Sequence, residues 1–401
     1  MRYFFSAGEA SGDLHAAGVM HHLRSLDPEA EFTFLGGDAM AAAAGHAPLI
    51  HYRDMAFMGF IDVARHLPQV LGNLSRAKEA LRRERPDVLV LVDYPGFNFK
   101  LGEYARKLGI PVHYYIAPKL WAWKDYRLKA LRRWADRVYS ILPFEPEWFG
   151  ARGLKVEYVG NPSVEEVDRT LATLSDAATF RLTHKLDPTR PILAIVPGSR
   201  VSEIRTNLPV MDAVARRHPE MQAVVAGAPT IDDEFYRQFT DLPVVHASTL
   251  SLMAHSHAAL VTSGTASLEA ALAGAPQVVC YRAVGWKWAH DLFTHILKVP
   301  YCSLPNLVTG PIGRADREAA NRQARDTGAR GWIIPEVLVH NCTPDIVDRH
   351  LSPLLGDTPE RAAQLEGYAL LRDRLVTPRP AAENVAERIY KAISSPGTHG
   401  S

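Results

Sequence analysis

Apolar residues along this chain fall into short β-branched runs, separated by longer stretches in which they recur every three or four positions. In the first half the runs predict strands at Tyr3–Ala7, Glu31–Leu35, Val88–Val92, Val112–Ile116 and Val138–Leu142. In the second half they predict strands at Ile192–Val196, Gln222–Ala226, Val244–His246, Ala259–Val261 and Gln277–Tyr281. The run "DVLVLVD" is apolar on both faces, as befits a strand sandwiched between helices. Regular alternation of strand and helix implies parallel sheets. The expected fold class is therefore α/β, with two Rossmann-like domains facing a central cleft. The stretch 163–190 has weaker strand content and ends in Asp-Pro and Arg-Pro, so the domain boundary is placed there. The first domain is expected over 1–163 and the second over 185–375. A last helix, about 380–396, carries Val385, Ile389 and Ile393 on one stripe. It is expected to pack back on the first domain or to be exchanged with a partner, which would make a homodimer.

Composition narrows the class. Hydrophobic residues at 47% and charged residues at 22% are ordinary for a globular enzyme. A formal net charge of +1 leaves no global basic field to attract nucleic acid. Cys280, Cys302 and Cys342 lie far apart without a CxxC pair, which argues against a disulfide framework or structural zinc and fits a reducing compartment. The apolar run after Met1 is too short for a signal-peptide core, and no stretch approaches the roughly 18–20 apolar residues of a membrane span. A cytoplasmic protein with at most peripheral membrane contact is expected.

In open parallel sheets ligands sit at the carboxyl ends of strands, so the loops there are the candidates for chemistry. "SAGEASGDLHAA" follows the first strand. A helix N-terminus favours anions, yet Glu9 and Asp13 would repel a phosphate at close range. "VDYPGFN" sets Asp93 directly after a buried strand, either as a general base or as a turn residue before Pro95-Gly96. "PGSR" presents Ser199 as a donor and Arg200 as a planar fork suited to phosphate oxygens, or as a plain solvated turn. "TSGTASLEAALAGAP" offers Ser263, Gly264 and Thr265 at a helix start, a seat for a diphosphate. One turn on, Glu269 can accept two hydrogen bonds from vicinal ribose hydroxyls, or merely complement the helix dipole. The pattern GxxxxGK[ST] is absent, so a P-loop is not expected. His255-x-His257 lacks a third ligand nearby and reads as two helix-end histidines.

The segments "AGEASGD", "VDYPGFN", "HYYIAPKLWAW", "ILPFE", "PGSR", "TSGTASLEAALAGAPQVVCYR" and "YCSLPNL" occur in this order from Ser6 to Leu307. Together they resemble the lipid-A-disaccharide synthase family of bacterial GT-B glycosyltransferases. The resemblance implies transfer of 2,3-diacylglucosamine from UDP-2,3-diacylglucosamine to 2,3-diacylglucosamine 1-phosphate, with inversion. The products would be the β-1,6-linked disaccharide 1-phosphate and UDP. It implies that Asp93 is the base and that Ser199, Arg200 and Ser263–Thr265 hold the diphosphate. Glu269 would hold ribose, and Asn306 would complete the nucleotide side. No metal or other cofactor is expected, since Arg200 and a helix N-terminus can neutralise the leaving group. On the acceptor side the resemblance makes Glu9, Ser11 and Asp13 a sugar-binding set, with helix capping as the other role for Asp13.

Acylated substrates imply work at the cytoplasmic face of the inner membrane of a Gram-negative bacterium. Met55, Phe57, Met58 and Phe60 form an apolar group suited to that contact. Trp286, Ala289, Phe293 and Ile296 form a stripe that reads as an interfacial helix or as a buried face. The basic stretch "RLKALRRWADR" reads mainly as an exposed amphipathic helix. Two departures from the family pattern stand out. The stretch about 310–332 looks like a solvated insertion and unsettles the local role of Asn306, and Asn161 stands where many members carry His. Three rival readings remain open at this point. A UDP-N-acetylglucosamine 2-epimerase would need no acyl-chain surface. A nucleotide-sensing, membrane-docking protein would bind UDP without turnover. An NAD-dependent dehydrogenase would need the GxGxxG that the first loop lacks.

Overall fold

The computed structural model describes residues 1–55, 67–122, 125–246, 249–282 and 299–394. The chain divides into two compact units, Met1–Pro162 with Thr377–Ser401, and Ser163–Val376.

Unit 1 is built on strands β1 (Arg2–Ala7), β2 (Glu31–Gly36), β3 (Ile50–His51), β4 (Val88–Val92), β5 (Val112–Tyr115), β6 (Arg137–Ser140) and β7 (Glu157–Tyr158). They pair in the order β3-β2-β1-β4-β5-β6-β7, every pairing parallel. All five residues of β4 are buried, because helices cover both sheet faces and leave a parallel strand no solvent side. The helix Ala381–Ser394 closes this unit by packing on the helix Ala10–Leu26. Val385, Ala386 and Ile389 join Val19, Leu23 and Phe5 in one core. Gly18 permits the approach: a Cβ there would lie 3.2 Å from that of Ala382. Asn384 Nδ2 donates to the Val159 carbonyl at 3.0 Å, and Arg388 pairs with Glu157 at 3.1 Å.

Unit 2 repeats the plan with β8 (Ile192–Val196), β9 (Gln222–Ala226), β10 (Val244–Val245), β11 (Ala258–Thr262), β12 (Gln277–Tyr281), β13 (Arg330–Gly331) and β14 (Pro335–Leu338). The order is β10-β9-β8-β11-β12-β14-β13, and β13 alone among the described strands runs antiparallel to its neighbour. In each unit the strand order reverses at one point, between β1 and β4 and between β8 and β11. Loops leaving those two strands diverge to opposite faces and open the crevice where such sheets bind ligands. The four loops with candidate chemistry leave β1, β4, β8 and β11.

Several segments differ from the pattern reading. The stretch 163–184 lies in unit 2 and forms the helix Ala177–Thr183 and all but the first residue of the helix Pro162–Ala172. The strand at 112 ends at Tyr115, because Ile116 turns out of the sheet with φ +64°. Within 310–332 lies a helix, Arg314–Thr327, with only Ala320 buried, followed by β13 on the sheet edge. The basic stretch forms the helix Leu128–Trp134, which buries Leu128, Leu131 and Trp134. His255 packs on the Phe180 ring at 4.8 Å, and a ring nitrogen of His257 pairs with the Leu355 carbonyl.

The membrane-contact assignment needs one correction. Met55 is buried, and its carbonyl accepts the Tyr94 hydroxyl at 2.6 Å, so it anchors unit 1 from within. Phe57, Met58 and Phe60 lie outside the described residues, as do Trp286, Ala289, Phe293 and Ile296. No described helix is long and apolar enough to cross a membrane.

Candidate active site

In unit 2 the loop after β8 turns at Gly198, with φ +113°, where a Cβ would meet a Glu203 carboxylate oxygen at 2.5 Å. The turn aims the Ser199 N–H and the Arg200 guanidinium the same way. The Glu203 carboxylate takes both, at 3.2 and 3.1 Å, so one anionic group already engages both donors of this loop. After β11, Gly264 (φ +155°) starts the helix Thr265–Leu272, and among the described residues no side chain caps its first turn. Those N–H groups are the kind that receive a phosphate. Asn207 ties the two loops together, its Nδ2 donating to the Pro197 carbonyl at 3.4 Å and to Thr262 Oγ1 at 3.1 Å, while its Oδ1 accepts the Arg282 N–H beyond β12 at 2.7 Å.

Ser199, Arg200, Ser263, Gly264, Thr265 and Glu269 line one cavity of about 430 Å³. Thr249 and Glu269 also line an adjoining cavity of about 180 Å³ with Ser163, Glu166 and Thr170. Burial raises the Glu269 carboxyl above its usual value, and the charge of Glu166 adds to this. Glu203 and Thr249 escaped the pattern reading. Glu203 carried a usable signal, three residues after Arg200 on a predicted helix, and Thr249 carried none.

In unit 1 the motif around Asp93 has a definite construction. Asp93 and Tyr94 are both left-handed, at φ +45° and +47°, a conformation that costs non-glycine residues of order 1–3 kcal/mol each. Two donors hold the turn: Asn98 Nδ2 at 2.8 Å and Tyr114 Oη at 2.6 Å, both on the Asp93 carbonyl. Asn98 is wholly buried and in turn accepts the Ser6 hydroxyl at 2.7 Å. The Tyr94 ring lies over the first loop, where a Cβ at Gly8 would fall 2.3 Å from it, so only glycine fits. The Asp93 side chain is open to solvent on one side and ringed by protein on the others. This desolvation raises its carboxyl; Lys119 opposes it, Glu9 adds to it, and the Tyr94 N–H opposes it.

Glu9 and Ser11 are exposed at the start of the helix Ala10–Leu26. Asp13, placed with them by sequence, is buried and differently employed. Its carboxylate accepts the N–H groups of Gly37, Ala39 and Met40 at 2.6, 3.0 and 3.3 Å, capping the helix Asp38–Ala44 from a neighbouring element. Asn306 is also corrected. It is fully buried; its Oδ1 accepts from Trp332, Ile333 and Ile334, and its Nδ2 donates to the Ile334 carbonyl and Glu336. Its hydrogen-bonding capacity is consumed within unit 2, leaving none for a nucleotide.

A family model described as lipid-A-disaccharide synthetase matches residues 3–313. The lipid-A-disaccharide synthase of Myxococcus xanthus is 36% identical over 402 residues, covering 98% of this chain and 97% of that one. That of Acidobacterium capsulatum is 33% identical over 399 residues, covering 94% and 93%. Among solved structures, a Staphylococcus aureus MnaA–UDP complex superposes with a TM-score of 0.61 at 12% identity, covering 98% of this chain and 97% of that one. The calicheamicin glycosyltransferase CalG4 gives 0.57 at 16%, covering 98% and 99%. These two share the two-Rossmann fold. The full-length sequence matches show more: this chain belongs to the lipid-A-disaccharide synthase family of glycosyltransferases.

Proposed function

We propose that the protein transfers a 2,3-diacylglucosaminyl group from its UDP carrier to the 6-hydroxyl of 2,3-diacylglucosamine 1-phosphate. The observation that carries the donor half is the cavity of about 430 Å³, in which a cation, an uncapped helix start and a carboxylate meet at the β8/β11 reversal. The diphosphate lies against Ser199, Arg200 and the N–H groups of Ser263–Thr265, and Glu203 yields its two donors to it. Glu269 accepts the ribose hydroxyls. Asp93 takes the proton of the acceptor hydroxyl, and Glu9 and Ser11 bind the acceptor sugar.

The oxygen so activated attacks C1 of the donor as the C1–O bond to the diphosphate breaks, and UDP leaves with the bonding pair. A single displacement converts an α-linked donor into a β-linked product. Fixed donors aimed at the departing charge lower the barrier because they need no reorganisation. The acyl chains of both substrates bring the enzyme to the membrane surface as a peripheral protein.

The direct test is UDP release from UDP-2,3-diacylglucosamine in detergent, with and without acceptor and with and without EDTA. Acceptor-dependent release that survives EDTA supports the reading. Release without acceptor, or turnover of unacylated UDP-sugar, would sink it in favour of a hydrolase or an epimerase. The ribose contact is tested separately. Glu269→Ala should weaken UDP binding by about 1.5–3 kcal/mol, the worth of hydrogen bonds to a charged group. UDP lacking both ribose hydroxyls should bind wild type and variant alike, as read by calorimetry. Equal weakening for both ligands would make Glu269 structural.

A further inference from the structure

The sheet of unit 1 sets a cation beside Asp93 that the reaction just described does not use. β4 and β5 are parallel neighbours, with Val92 opposite Tyr115, so the loops leaving them start side by side. One leads at once to Asp93. The other leads through Ile116, Ala117 and Pro118 to Lys119, which is exposed.

That second loop is firmly gripped. Ile116 turns it out of the sheet, and the Ala117 N–H donates to the Tyr139 carbonyl at 3.0 Å. The buried Trp121 donates its indole N–H to Glu145 Oε1 at 2.8 Å, and Ser140 donates its hydroxyl to the other oxygen. Glu145 is 1% exposed, and burial pushes its carboxyl up to about 7, against the pull of those two bonds and of Lys119. Through these bonds the Glu145 carboxyl ties the Lys119 loop, at Trp121, to the end of β6, at Ser140.

Four groups on the described elements bear on the Asp93 carboxyl. Glu9, on the loop after β1, repels its negative charge; Lys119 attracts it; and the Tyr94 N–H within its own turn hydrogen-bonds to it. Tyr114 on β5 stays neutral, its phenol pushed far up by burial. Two carboxylates thus crowd adjacent strand ends where a phosphorylated acceptor is to bind.

We propose that Lys119 is a positioning residue of the transfer reaction, a counter-charge to Asp93 held in place by the buried Glu145–Trp121 grip. The inference rests on the assignment of Asp93 as base. A base works only while ionised, so its activity is lost as pH falls through its pKa. Removing a nearby cation favours the protonated form and carries that loss to higher pH.

The experiment is the pH profile of kcat for wild type, Lys119→Met, Lys119→Arg and Trp121→Phe, with UDP binding and circular dichroism as controls for folding. For Lys119→Met the loss relative to wild type should be roughly fivefold greater on the acid limb of the profile than on its plateau. Lys119→Arg should restore the wild-type profile. Trp121→Phe, which touches neither charge, should move the acid limb the same way by a smaller amount. A loss equal at every pH overturns the role of Lys119, and an unmoved limb in Trp121→Phe overturns the grip. Asp93→Asn in the same assay separates the two levels of the argument. If it turns over like wild type, the base assignment fails. If it is inactive while the Lys119→Met profile stays unmoved, only the present inference fails.

Discussion

Asp93→Asn should lower turnover by roughly 10²- to 10⁴-fold, the usual contribution of a positioned general base, with UDP affinity nearly unchanged. The separation follows from where the parts are. The strained turn is held through the Asp93 carbonyl, by Asn98 and Tyr114. The carboxylate adds only the bond it accepts from the Tyr94 N–H, which an amide oxygen in the same place accepts as well, so the backbone stays as it is. The residues assigned to the diphosphate and ribose all belong to unit 2, which Asp93 does not. Steady-state UDP release and calorimetric UDP titration decide the matter together. Parallel loss of both would make Asp93 a structural residue, and full activity in the variant would remove it from the mechanism.

Asn306→Ala should act on stability where family resemblance alone would put it in nucleotide binding. The buried side chain joins three backbone N–H groups of residues 332–334 to Glu336, whose oxygens also receive the Cys302 and Ser303 N–H groups at 2.9 and 3.0 Å. Truncation strands the buried Ile334 N–H and two part-buried N–H groups at once, a buried one costing about 1–3 kcal/mol where water cannot enter. Partial relaxation leaves a net loss of roughly 3 kcal/mol in the stability of unit 2, visible as a lower urea midpoint. UDP affinity of the folded fraction should stay within about twofold of wild type, less than a single hydrogen bond is worth. An unchanged midpoint with strongly weakened UDP binding would return Asn306 to the nucleotide site.

The contrast between Asn306 and Arg200 shows which parts of the site were legible in the chain. Apolar runs with no polar face, such as Ile192–Val196 and Val88–Val92, could be read to the residue, since a strand buried on both sides has one composition. The two-residue edge strands Ile50–His51 and Glu157–Tyr158, unlike Val244–Val245, carry no such pattern, because their pairing is decided by neighbours distant in sequence. Loops at strand ends mark Asp93, Arg200 and Ser263–Thr265 as candidates through glycine, proline and hydroxyl content, and the last two groups line one cavity. Whether a polar side chain in such a loop faces outward was not legible. Asp13 and Asn306 are typical binding residues in type, yet each is drawn inward by several backbone N–H groups from other elements. Met55 is likewise buried beside a distant partner, since Tyr94, whose hydroxyl its carbonyl accepts, lies 39 positions away.

The return of the chain to unit 1 at Thr377 bears on how the protein is made. Synthesis is vectorial, and at about 5–20 residues per second a domain encoded first usually folds first. Here the first 162 residues emerge without the helix that supplies Val385, Ala386 and Ile389 to their core. Unit 2 is continuous, from Ser163 to Val376, and is finished earlier. In order of synthesis, therefore, the unit begun second is completed first. Until the closing helix is made, one face of the Ala10–Leu26 helix in the first unit stays bare. That interval is when a holdase chaperone would find its binding surface, and a nascent chain stalled before residue 380 would present it indefinitely.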